Sequence, residues 1–92
     1  MDKLQPPGHL SLQGNLSENW RKWKQRFELY MTASGISDKD ERVQSATLLH
    51  VAGEEALEIY NTFSWEKDGD DQKVSIIMAK FESYCNPRKN VT

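Results

Sequence analysis

Ninety-two residues allow one domain, and a chain of this length buries only about 60 to 65% of its unfolded surface, so self-association is a reasonable source of added stability. Nine aromatics within a 37% hydrophobic composition suffice for a small core and exclude a disordered segment, while a formal charge of −2 excludes a plainly basic nucleic-acid domain. One cysteine and two histidines leave no disulfide and no plausible zinc site, so no metal or cofactor is expected, and a reducing intracellular setting fits best.

The total charge hides a segregation. Residues 1–36 carry five cations and three anions (+2), 37–71 carry three and ten (−7), and 72–92 carry four and one (+3). The acidic centre argues against phosphate neutralisation as the main task. No apolar run reaches the roughly 18 residues of a membrane span, and the N-terminus lacks the apolar stretch of a signal peptide, which predicts a cytosolic chain with no membrane partner. Without such a signal, the glycosylation-type triplets at Asn15 and Asn90 carry no chemistry.

Residues 1–15 contain Pro6, Pro7, Gly8 and Gly14 and read as an extended arm with a short alternation at Leu10 and Leu12. The first helix is predicted from Ser17 or Asn15, either a suitable cap, to Gly35. Its run Trp20-Arg-Lys-Trp-Lys-Gln-Arg-Phe-Glu-Leu-Tyr-Met31 admits two readings. Leu16, Trp20, Trp23, Phe27, Tyr30 and Met31 fall on one stripe about 100° wide, as a core face requires. Alternatively Trp20, Lys22, Trp23 and Arg26 form a basic patch interleaved with aromatics, able to stack bases and neutralise phosphates.

Ser37 is the predicted cap of a second helix, with Asp38, Asp40 and Glu41 at its positive end and Gly53 as its stop. Val43, Ala46, Thr47 and His50 share one side while Leu48, Leu49 and Val51 point elsewhere, which predicts an enclosed, central helix. A short third helix opens with Glu54 and Glu55 and carries Ala56, Ile59, Tyr60 and Phe63 at i, i+3, i+4 and i+7. The fourth is expected from Asp70 or Asp71 to Pro87, with Val74, Ile77, Met78, Phe81, Tyr84 and Cys85 as its stripe. With Leu49 added, these stripes are the predicted core of an all-α fold: a compact bundle of four main helices, residues 16–86, behind an extended arm.

Catalytic readings are weak. Glu54, Glu55 and Glu58 are better explained as partners of a helix dipole than as a general acid and base. His50 has no partnered Ser or Cys motif, and Cys85 shares a stripe with Phe81 and Met78, as a small buried hydrophobe would. Nothing here predicts an enzyme. Trp65, in a polar segment, is expected to fold back on the core, while Leu29 and Ile76 lie opposite the stripes of their helices.

The order of three segments, Gly14 to Tyr30, Ala46 to Phe63 and Lys80 to Asn90, resembles the Gag polyproteins of gypsy-type LTR retrotransposons. The similarity covers residues 10–92, and the matching region in that family is the N-terminal, all-helical lobe of the capsid domain, a fold shared by the Arc-type domesticated Gag proteins. The resemblance implies a structural protein that assembles with copies of itself into a virus-like particle packaging RNA, with 87–92 as a linker towards a second capsid lobe. RNA would be met only indirectly, through other Gag regions. In some relatives a groove on this lobe accepts an extended peptide, and the arm with Leu10 and Leu12 is placed to occupy such a groove here.

Opposite charges on separate segments suit front-to-side association in a repeating, heterologous contact. The outward set Arg21, Lys22, Gln25, Arg26 and Leu29, against Asp38, Asp40, Glu41 or Glu54 and Glu55, is the expected assembly face. A nucleic-acid-binding module using the Trp20–Arg26 face and a peptide-binding lobe are the alternatives.

Overall fold

In the computed structural model, which describes residues 5–86, the first helix, α1 (Leu16–Ser34), starts where the side chain of Asn15 can serve it. Asn15 Oδ1 accepts the Glu18 amide at 3.1 Å and the Ser17 hydroxyl at 3.1 Å, satisfying one of the donors a helix start leaves free. The helix ends at Gly35, whose φ of +83° would strain any residue with a Cβ. Trp20, Trp23, Phe27 and Met31 form its buried stripe; Leu16 and Tyr30 are half-buried at the edges.

The second helix begins later than predicted. Residues Ile36–Asp38 make a 3₁₀ turn, and α2 (Glu41–Ala52) is capped by Asp40, whose Oδ1 accepts the Val43 amide at 3.1 Å. Ser37 instead offers its carbonyl to Gln44 Nε2 at 3.2 Å. The buried face is also not the predicted one. Ser45, Leu48, Val51 and Ala52 point inward, whereas Val43 is 44% exposed and Ala46 and His50 lie outside. Both faces carry apolar residues, and burying Leu48 and Val51 removes more area from water than burying Ala46 and Thr47.

Gly53 separates α2 from α3 (Glu54–Tyr60), so Phe63 lies beyond the helix it was assigned to yet still packs on the core. Asp70 does not open the fourth helix. It sits in a second 3₁₀ turn, Asp70–Gln72, where it is buried and its Oδ2 accepts the Lys67 amide at 3.2 Å; α4 (Val74–Cys85) follows without a side-chain cap.

α2 and α4 are both inner elements, α4 lying against α1 and α2, and α2 against α4 and α3; α2 is central as expected but not enclosed, since Val43, Ala46 and His50 are exposed. On α4, Ile77, Phe81 and Cys85 are buried, Val74 and Met78 are half-buried, and Tyr84, expected on the stripe, is 46% exposed. Ile76 is half-buried, not a surface residue. The core is a chain of rings running from Phe27 to Trp23 (centroids 5.0 Å apart), Trp20 (5.8 Å), Phe81 (5.6 Å), Phe63 (5.1 Å) and Trp65 (5.9 Å). Trp65 closes it by folding back onto Tyr60, with Lys80 Nζ 5.6 Å from its ring. Leu49, Ile59 and Tyr60 pack around this chain, half-buried. The fold among the described residues is all-α, four helices in one bundle.

The arm packs on the bundle. Leu10 is buried and its amide donates to Ala52 O at 2.9 Å, Leu12 lies against the core, and Trp23 Nε1 donates to Gly8 O at 2.7 Å. The first four arm residues and the linker at 87–92, including Pro87 as stop of the last helix, lie outside the described residues.

Candidate functional site

The outer face of α1 follows from its inner one. With the tryptophans turned inward, Trp20 2% and Trp23 6% exposed, their neighbours Arg21, Lys22, Gln25, Arg26 and Leu29 necessarily project to solvent. Arg21 Nη2 meets Glu18 Oε2 at 2.7 Å and Lys22 Nζ stands 3.5 Å from the same oxygen. The hydrogen bond from Arg21 holds the Glu18 carboxyl below its usual range, with the charges of Arg21 and Lys22 adding to it. Arg26 has no carboxylate within ion-pair distance among the described residues, and beside it Leu29 is 65% exposed.

The acidic half of the predicted face divides in two. Asp38, Asp40 and Glu41 are exposed at the corner before α2, where Asp40 is also engaged as a cap; Glu54 and Glu55 are exposed in the first turn of α3. The 12 residues of α2 put about 18 Å between them. They are two separate acidic edges.

His50 and Glu58 are exposed, and Cys85 is buried, its thiol pushed up to about 11 by burial and, secondarily, by the charge of Glu82. Tyr60 is also raised by burial and by Asp71, whose carbonyl accepts its hydroxyl at 2.7 Å. Among the described residues no group of three His, Cys, Asp or Glu is placed to hold a metal, and no helix is long and apolar enough to cross a membrane.

Two concavities involve residues that sequence reasoning left out of the site. A groove of about 650 Å³ runs between the end of α1 and the outward face of α2, lined by Tyr30, Ile36, Val43, Ala46 and His50. A smaller cleft of about 270 Å³ lies between the arm and α1, where His9 and Ser11 face Asn19, Lys22 and Arg26. The Leu10–Leu12 alternation signalled the arm, but nothing local signalled that it would run across α1.

A scan against protein-family models, curated proteins and solved structures finds no match to this chain.

Proposed function

We propose that the chain is a capsid-type N-terminal lobe of a retrotransposon Gag, or of a host protein derived from one, acting by self-association in a cytoplasmic particle that packages RNA. The observation that carries this reading is the outer face of α1: an exposed Leu29 among Arg21, Lys22, Gln25 and Arg26, with acidic edges elsewhere on the same bundle. Such a surface is complementary to another part of a second copy and not to itself. That is the condition for a heterologous contact, which closes into rings or extends into a lattice.

A charge reversal, Arg26→Glu, in the Gag-length polypeptide carrying this lobe is expected to lower particle yield in negative-stain electron microscopy. Unchanged yield removes this face from assembly. A second reading, an adaptor lobe taking an extended peptide, is favoured by the open groove at Tyr30 and Val43, but the arm already occupies the surface near Ala52 with Leu10. Direct nucleic-acid binding is less supported, because Trp20 and Trp23 are buried and offer no stacking platform.

A further inference from the structure

The cleft between the arm and α1 gathers donors and cations without a carboxylate. Lys22 and Arg26 stand one turn apart on α1, and His9 and Ser11 face them from the arm. No acidic residue is among those lining the cleft. Two of the arm carbonyls at the cleft are already engaged by donors, which lessens their repulsion of an anion: Gly8 O accepts from Trp23 Nε1 and Ser11 O from Asn19 Nδ2 at 3.3 Å. Lys22 is held only at 3.5 Å by a carboxylate that Arg21 engages more closely, so it is free to turn to another anion.

We infer that this cleft binds a compact phosphate anion, the pyrophosphate or oligophosphate portion of a small molecule, and that the anion clamps the arm to α1. A guanidinium, an ammonium and an imidazole around one space suit a tetrahedral, multiply charged oxyanion. The cleft, about 270 Å³ and open to solvent, has room for linked phosphoryl groups. An RNA strand is the less favoured source of the same phosphate chemistry, since the adjacent tryptophans are buried. The site is complete within one chain and does not depend on assembly.

The test is a titration of the 92-residue chain with sodium pyrophosphate, followed by amide NMR, against sodium chloride of equal ionic strength. Saturable shifts centred on His9, Ser11, Lys22 and Arg26 are expected, with a dissociation constant on the order of a millimolar or tighter. Pyrophosphate also raises the melting temperature, because it binds the docked arm and not the unfolded chain. Arg26→Gln or Lys22→Gln weakens binding about tenfold, whereas Lys24→Gln, which removes an α1 cation that does not line the cleft, changes it less than about twofold. Non-saturating shifts at every surface cation, an equal loss in Lys24→Gln, or saturable binding of a short single-stranded RNA without binding of pyrophosphate would each overturn the proposal.

Discussion

At the residue scale, the least replaceable polar contact is the one between Trp20 and Glu82. The Trp20 indole is buried and its Nε1 donates to Glu82 Oε1 at 2.7 Å, joining α1 to α4 across 62 positions of sequence. Glu82→Ala leaves that donor without its acceptor, and the cost is about 1 to 3 kcal/mol. Glu82→Gln keeps an oxygen in place and is expected to cost less; urea midpoints for the two variants give the order, and equal midpoints would assign the loss to something other than the indole. Cys85 gives a second prediction. With its thiol raised to about 11 from an ordinary 9.0, the thiolate fraction at pH 8 falls by about two orders of magnitude, so alkylation is slow in the folded chain and fast in urea. The sign for stability follows. Folding keeps the proton on, so the contribution is complete below pH 9 and is lost as pH rises towards 11. Rapid alkylation at pH 8 without denaturant would show that the C-terminal turn of α4 opens locally.

At the element scale, helix ends were legible wherever a single residue type does the work. Asn15 and Gly35 bound α1, and Gly53 ends α2, because a cap hydroxyl or amide and a positive φ are local requirements. Asp70 misled because a residue that caps helices can also hold a turn, as its Oδ2 does by accepting the Lys67 amide; Ser37 misled because a 3₁₀ turn at 36–38 intervenes and Asp40 caps α2 instead. The α2 face was undecidable from periodicity, since both sides are partly apolar and only packing against α4 selects Leu48 and Val51. Arm docking was expected only from the family resemblance; no local pattern specifies it, as the Leu10–Ala52 bond spans 42 positions. That docking makes a prediction at Gly53, whose φ of +103° and ψ of 175° belong to a region open essentially to glycine alone. A Cβ there would sit 2.8 Å from His9 Cγ. Gly53→Ala is expected to cost about 1 to 3 kcal/mol in backbone strain and to push the arm outward. Faster solvent exchange of the Trp23 indole proton, which loses Gly8 O, reports the displacement; unchanged exchange would mean that His9 alone gives way.

At the scale of the whole molecule, the feature visible earliest, charge segregation along the chain, becomes a spatial one. The cations at 21, 22 and 26 occupy one helix face, while the acids gather at the corner before α2 and at the start of α3. Periodicity sufficed for the cationic face, because once four aromatic or sulfur-bearing residues turn inward the intervening positions have nowhere else to go. It did not suffice for the acids, whose grouping depends on where the chain reverses. If copies associate through this arrangement, attraction between exposed charges is screened beyond about 8 to 10 Å at 0.1 to 0.15 M salt, so sedimentation velocity should show association strongest at low ionic strength. Leu29 separates the electrostatic part from the apolar part. It is 65% exposed, so Leu29→Ala leaves the fold intact within about 0.5 kcal/mol and removes only surface that a partner would cover. Weaker association in that variant with an unchanged salt slope, together with a flatter slope in Arg26→Glu, identifies a contact with an apolar centre and a charged rim, as specific interfaces have. Association that grows with salt would instead mean that apolar burial acts without the charges, and the pairing of α1 with the acidic edges would have to be given up.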